Sequence, residues 1–427
     1  MDLPDGFEFG IVKTDEEVEE LLKFHSIVHP DDDTEELRRQ IDHLPGFSRE
    51  MNYYIRDIDK DLIVSALNSI PSIWNYENIP LQNLELGWVG TLKEYRRRGL
   101  NRLLQTHFDS VLFNGKYDLS TIQGIPYYYR QFGYDFVIPM DRTVWTRTNQ
   151  IPPFDTKKPP EYMKLKVRLA EKKDIPTMME LFDEHNRDLL VYVPRSKELW
   201  EIQEKYKRQF ENEFLTYVLI DGSKTIGYFR LVKNINKDSP PNKSTMNVIE
   251  SSIPTYDGVL RVFQFIREEA LQSNIPLLSS QGPSCNTLSK VMENYGGYVG
   301  AGWKYQIRIP SMVEFLKKIS PVLEKRLERT MFEGITYDVI MNTFQNCYVL
   351  KFTNGKIVDV TDLGPQEVDE NRAFRSPPQD LVRLVFGAYS IKELKQNNID
   401  FIVSSGVRLI VETLFPKLES AIYLYFC

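Results

Sequence analysis

The 427-residue sequence predicts a mixed α+β protein built in three successive parts. Three observations lead there. Strand-period and helix-period stretches alternate through the first two thirds of the chain. A Pro- and Lys-rich connector from Ile151 to Pro160 interrupts that region, and the strand-then-helix opening before residue 28 is echoed after it, at Val167–Ile175. From residue 311 the pattern changes to a helix, a hairpin signal at Asn354–Gly355 and further helices. The expected division is 1–152, 153–311 and 312–427.

Residues 7 to 12 read as a short strand, and the helix after it places Val18, Leu21, Leu22 and His25 on one face. His25 and His29, four apart, share that face and read as structural. The acidic run from Pro30 to Glu36 reads as a helix start with a solvated face, or as an attractive rim for a cationic substrate. Residues 52–56 and 61–73 form paired strands around Asp57–Lys60. A strand through Leu84–Thr91 follows, then a basic turn, then a helix with Leu100, Leu103, Leu104, His107, Phe108 and Val111 on its apolar face. Beyond the connector, Phe214–Ile220 and Thr225–Val232 make a hairpin, and Met246–Ile253 is the next strand. The turn after it, Pro254–Gly258, carries an acid and no Arg-x-x-Gly, which is poor chemistry for a phosphate. In the last part, residues 347–352 and 356–360 flank Asn354–Gly355. Helices are expected at 312–327, 378–386, 390–396 and 407–414.

Composition narrows the function. The chain is 42% hydrophobic and 26% charged, with a net charge of −7. That is ordinary for a globular protein and disfavours general nucleic-acid binding. Cationic small substrates suit a mildly acidic surface better. Cys285, Cys347 and Cys427 have no paired spacing, so neither a disulfide framework nor a metal site is expected. The N-terminus lacks a leader's apolar run, and no stretch approaches the ~20 apolar residues of a membrane span. A cytoplasmic setting is the default expectation.

The chemistry concentrates at Glu85–Val111. A strand, a Gly-containing turn and a helix start present free N–H groups and the positive end of the helix dipole, and three arginines add phosphate donors. Arg96-Arg97-Arg98-Gly99-Leu100-Asn101 resembles motif A of the GNAT acetyltransferases, whose turn holds the pyrophosphate of acetyl-CoA through its backbone N–H groups. The resemblance implies that Val89, Gly90 and Thr91 pair with the pantetheine arm. Asn101 departs from the pattern, which has a small residue there. Downstream, Tyr128-Tyr129-Arg130-Gln131-Phe132-Gly133-Tyr134 resembles motif B of the same family, which implies that Tyr129 is the general acid.

The whole chain resembles the Eis family in order: Val89–Leu100 and Tyr129–Tyr134 first, then Leu384-Val385-Phe386-Gly387 and Leu414-Phe415-Pro416 in the tail. This implies tandem GNAT folds, a catalytic one followed by a degenerate one, then a sterol-carrier-protein-like α+β domain. It also implies a hexamer, and the carboxylate of the last residue, here Cys427, as the base. The apolar end Tyr423–Cys427 agrees with a buried terminus. Glu85, on the strand leading into the turn, is the competing base. The expected activity is acetyl-CoA-dependent transfer to a primary amine: an aminoglycoside, a polyamine or a lysine side chain. A non-catalytic acyl-CoA-binding scaffold and a lipid-binding protein are the alternatives.

Overall fold

A computed structural model describes residues 3–140, 142–209, 212–235, 244–300, 302–367 and 374–423. The first strand, Phe7–Ile11 (β1), leads through Thr14 into helix Asp15–Val28 (α1). Thr14 accepts from the Glu17 N–H and the Glu17 carboxylate accepts from the Thr14 N–H, so both ends of this cap are satisfied. Val18, Leu21, Leu22 and His25 are buried on one face, as the spacing predicts. Helix Thr34–His43 (α2) starts at Asp33, whose carboxylate accepts from the Glu35 N–H at 3.1 Å.

Strands Asn52–Asp57 (β2), Leu62–Tyr76 (β3) and Ile79–Thr91 (β4) form an antiparallel meander. The β3–β4 register slips near the centre. Ala66 faces Gly90 and Asn68 faces Gly87, so Trp88 and Val89 oppose a single residue. Trp88 takes φ +46° at this bulge, which re-aims the strand. Helix Leu100–Asn114 (α3) then returns the chain to Leu119–Ile122 (β5). β5 pairs with β4 in parallel only from Asn83 to Glu85; beyond that point the two strands diverge.

The sheets do not follow chain order. The first runs β1-β2-β3-β4-β5, then Lys304–Arg308, then Asp135–Pro139 (β6). The next strand, Thr143–Arg147 (β7), lies instead in the second sheet, between Leu277–Gln281 and Tyr298–Val299. Val191–Tyr192 also joins the first sheet, beside β3, so the second half lends two strands to the first sheet and takes one in return. The predicted hairpin is present as Asn212–Asp221 and Lys224–Asn234, followed by Thr245–Ser252.

The third part is a five-stranded sheet with helices Met312–Leu327, Pro378–Val385 and Ser405–Leu414. Its hairpin turns at Asn354 (φ +49°) and Gly355 (φ +77°), the two left-handed positions that Asn-Gly suits. One apolar cluster joins this part to the first sheet, running from Trp74, Tyr76 and Leu81 through Tyr305 to Phe315, Phe386 and Leu414. The Tyr76 hydroxyl seals the junction by donating to the Val385 carbonyl at 2.6 Å. No described helix is long and apolar enough to cross a membrane.

Candidate active site

Where β4 and β5 part, the edge of β4 from Leu86 to Thr91 that faces away from β3 has no strand partner among the described residues. Its N–H and C=O groups border a wedge-shaped opening rather than a ladder. The turn from Leu92 to Gly99 closes the wedge at one end. Arg97 (φ +65°) and Gly99 (φ +79°) both take left-handed conformations, and Gly99 is also the residue preceding α3. No side chain caps α3. Its first intrahelical bond runs from the Leu103 N–H to the Gly99 carbonyl at 3.1 Å, so the N–H groups ahead of it point out of the helix. That end is an anion site by geometry and dipole.

The three arginines differ. Arg96 donates to the Thr91 carbonyl at 3.2 Å and braces the turn. Arg98 turns onto the Tyr95 ring, 4.9 Å from its centroid, and away from the cleft. Arg97 is exposed, lines the cleft, and forms no ion pair among the described residues. Asn101 sits in the first turn of α3, and its Nδ2 donates to the Tyr128 hydroxyl at 2.9 Å. An ordinary helical position suffices there, so Asn in place of a small residue leaves the turn intact.

Tyr129 lies on a single helical turn, Tyr128–Phe132, set between two left-handed residues, Tyr127 (φ +70°) and Gly133 (φ +85°). The ring is buried over Gly124, where any Cβ would come within 2.2 Å of it. Burial, with Tyr128 and Tyr134 nearby, pushes the hydroxyl well above its ordinary pKa, so it stays protonated at neutral pH. Its O–H forms no hydrogen bond among the described residues and is left for a ligand.

Two cavities meet at Tyr129. One, of about 630 Å³, runs along the turn from Val89, Gly90 and Thr91 past Arg96, Arg97, Gly99, Leu100 and Asn101. The other, of about 360 Å³, is lined by Asp32, Asp33, Glu36, Glu85 and Trp88. His29, Val89, Ile125 and Tyr129 belong to both walls. In the acidic cavity, burial raises the Glu85 carboxyl to about 7, partly opposed by Gln123, which donates to it at 3.0 Å. Gln123 is itself fixed by the Tyr305 hydroxyl at 3.2 Å. Burial likewise raises Glu36 to about 7 against the pull of Arg39. Gln40 links this group to the aromatic wall, donating to Glu36 at 3.0 Å and accepting from the Trp88 Nε1–H at 3.2 Å.

An uncapped helix start beside a wedge in the sheet, with Tyr129 lining both a cationic cleft and an acidic one, suits the transfer of a group from an anionic donor to a cationic acceptor. Sequence comparison agrees: residues 12–137 match the family model described as an acetyltransferase (GNAT) domain. This segment is a GNAT acetyltransferase domain.

Known structures share its fold over almost the full chain. A GCN5-related N-acetyltransferase from Anabaena variabilis superposes with a TM-score of 0.71 at 16% identity, covering 98% of this chain and 100% of that one. Eis1 from Mycobacterium abscessus gives 0.65 at 11% identity, with the same coverage. A GCN5-related N-acetyltransferase from Kribbella flavida gives 0.63 at 13% identity, covering 99% of each chain. No curated protein matches the chain in sequence. A GNAT domain implies an acyl-CoA co-substrate, and the cleft along the α3 start has the free donors and exposed cation to take one.

The second half lacks the equivalent. Helix Tyr256–Gln272 begins at Thr255, whose hydroxyl accepts from the Gly258 N–H at 3.2 Å. The donors that the GNAT turn leaves open are here partly satisfied, and Asp257 adds negative charge in the first turn. The nearby interior is filled by a buried charge network. Arg195 pairs with Glu250, which also accepts from the Tyr228 hydroxyl at 2.7 Å, and Arg230 pairs with Glu204 at 2.8 Å.

The structure thus brings together Glu85, Tyr129 and the expected turn residues, with Arg98 facing elsewhere. Cys427 lies outside the described residues. The acidic run supplies both of its predicted roles at once: Asp33 caps α2, while Asp32, Asp33 and Glu36 face the cavity. Gln123, Gln40 and Tyr305 were not foreseen; a lone Gln or Tyr on a strand carries no sequence signal of its own. His29, read as structural from its spacing, proves to line both cavities.

Proposed function

We propose that the chain is an acetyl-CoA-dependent N-acetyltransferase that acetylates a primary amine on a cationic small molecule or lysine side chain. The observation that carries this reading is the meeting of the two cavities at Tyr129, one fitted to phosphate and the other to positive charge. The turn at Arg97–Asn101 binds the pyrophosphate, and the open edge of β4 at Val89–Thr91 takes the pantetheine amides. Asp32, Asp33, Glu36 and Glu85 receive the ammonium group.

An alkyl ammonium with a pKa of about 10.4 must lose a proton before it can attack, which costs about 4–5 kcal/mol at pH 7 in water. Glu85, held near 7 by burial, is the base assigned to that task. Attack on the thioester then needs little beyond alignment, and holding both partners at one junction supplies much of the acceleration. Tyr129 donates its proton to the departing thiolate. The terminal carboxylate of Cys427 is the competing base. In its support, the chain at Ala421 runs parallel to Tyr192, which pairs antiparallel with Asn75 of β3. The chain there heads in the direction of Ile70, on the wall of the acidic cavity.

Calorimetric titration with acetyl-CoA, followed by thiol-release assays on a panel of aminoglycosides, polyamines and lysine peptides, tests the reading. One binding site per chain and amine-dependent thiol release are expected. Two sites would give the second half a live cofactor turn, and no binding would leave only a scaffold or lipid-binding role. Arg97→Ala should weaken acetyl-CoA about ten-fold, and the loss should shrink in high salt, as for one exposed charge on a phosphate.

A further inference from the structure

We infer that Asn101 is a positioning residue for the acid Tyr129: from the first turn of α3 it fixes the turn that carries Tyr129. The inference rests on the N-acetyltransferase reading above and deepens it.

Tyr129 needs such a fixture. Its hydroxyl forms no hydrogen bond among the described residues, so the direction of its O–H is set by whatever holds the ring and the backbone. The backbone here is a single turn of five residues, Tyr128–Phe132, too short to be stable by itself. Its backbone hydrogen bonds are local. The Tyr128 N–H donates to the Pro126 carbonyl at 2.9 Å, the Gly133 N–H to the Arg130 carbonyl at 3.0 Å and the Tyr134 N–H to the Tyr129 carbonyl at 3.3 Å. The chain enters the turn through Tyr127 at φ +70°. A bulky side chain rarely adopts that conformation, and surrounding contacts must enforce it.

Asn101 supplies such a contact. Its Nδ2 donates to the Tyr128 hydroxyl at 2.9 Å, joining the start of the cofactor helix to the start of the catalytic turn. The Tyr128 ring carries the constraint onward. It meets the Tyr129 ring edge-on with centroids 5.0 Å apart, and the Phe132 ring at 5.9 Å. Held at its far end by the hydroxyl, Tyr128 cannot swing away. Tyr129 is thereby bounded by a fixed ring as well as by the backbone at Gly124. A second tie to α3 is longer: Arg102 donates to Gln131 at 3.4 Å, and both side chains are exposed. Arg130 ties the same turn to β6, donating to Asp135 at 3.2 Å.

The departure from the GNAT pattern at residue 101 thereby has a use. A small side chain there would leave the Tyr128 hydroxyl without this partner. The groups that take the phosphates are backbone N–H groups of the turn and of α3, and the Asn101 carboxamide is not one of them. Removing it should therefore act on the chemical step and leave cofactor binding in place. Tyr129 must hold its proton in line with the sulfur as the C–S bond breaks, and a hydrogen bond weakens steeply once its donor is turned aside. A Tyr129 ring free to rock gives up part of that alignment.

The test uses the amine that the parent turns over fastest. Asn101→Ala is expected to lower kcat about ten-fold, with KM for the amine and the calorimetric affinity for acetyl-CoA each within about three-fold of the parent. Retained cofactor binding also establishes that the variant folds. Tyr128→Phe keeps the ring and removes the hydroxyl. It should lose as much, and the double variant should lose no more than either alone. The deciding comparison is made in Tyr129→Phe. There Asn101→Ala should have no further effect, because no proton is left to aim; a merely structural Asn101 would cost as much there as in the parent. Three results overturn the assignment and leave the N-acetyltransferase reading standing: an Asn101→Ala protein within about two-fold of the parent in kcat, a loss that persists in full in Tyr129→Phe, or a Tyr129→Phe protein as fast as the parent. A parent that releases no thiol with any amine overturns both.

Discussion

Tyr129→Phe is expected to lower kcat by about 10²–10³-fold while leaving acetyl-CoA affinity unchanged. The substitution keeps the ring, and with it the contact over Gly124 and the edge-on packing against Tyr128 at 5.0 Å. Only the hydroxyl goes, and it bonds to nothing in the described protein, so thermal stability should scarcely change. What is lost is a proton at the moment the C–S bond breaks. A thiolate with a pKa near that of cysteine, about 8.5, is a tolerable leaving group, which caps the loss at roughly 3–4 kcal/mol. Because burial keeps Tyr129 protonated, removing it should not shift the acidic limb of the rate profile. Single-turnover acetyl transfer measured for both proteins decides the matter. Equal rates would mean that Tyr129 only packs.

Glu85→Gln should act on turnover and on stability in opposite directions. As the base, Glu85 must be ionised, so kcat/KM of the parent should rise with pH through about 7. In Glu85→Gln that limb should vanish and kcat/KM fall by about 10²–10³-fold. Stability follows from the same displacement. The folded protein holds this carboxyl at about 7, above its ordinary 4.5, so the folded state binds the proton more tightly than the unfolded state. The stabilising effect of that proton is fully present below pH 4.5 and is lost as pH rises through 7. The displacement corresponds to roughly 3 kcal/mol. Glu85→Gln should therefore melt higher than the parent at pH 8 and level with it at pH 4. A kcat/KM that survives the substitution at pH 8, but falls when Phe426 and Cys427 are deleted, would hand the base to the terminal carboxylate.

Much of this site was legible in the residues, and for a physical reason. The strand, basic turn and helix of Val89–Val111 are local, so periodicity and a single glycine mark them. Tyr129 sits at a fixed distance from Gly133 on one turn of chain, and spacing is enough. Asn354–Gly355 works in the same way, since both residues must take positive φ. What stayed hidden depends on contacts far apart in sequence. Nothing near Glu85 announces that Gln123 will hold it, or that its carboxyl will be buried enough to titrate near neutrality. The bulge at Trp88 uses a bulky residue at φ +46°, where a glycine would have drawn notice. His29 reads as one more position on an apolar helix face; only the fold shows that the helix ends there, at the junction of two cavities. The pairing partners of β7 and Lys304–Arg308 were equally invisible, because a strand's pattern says that it will pair and not in which sheet.

That exchange of strands makes the two halves one folding unit around the site. Tyr305, which steadies Gln123 and through it Glu85, is encoded 182 residues downstream of Gln123, in the half whose own helix start is partly capped by Thr255. Gln306, beside it, donates to the Gly124 carbonyl at 2.7 Å, beneath the Tyr129 ring. A split at the Ile151–Pro160 connector would leave both products with a strand-wide gap in the middle of a sheet. The second half is therefore a structural part of the first sheet, whatever its own helix start at Thr255 holds. Two of its strands, Val191–Tyr192 beside β3 and Lys304–Arg308 between β5 and β6, complete the sheet on which Glu85 stands.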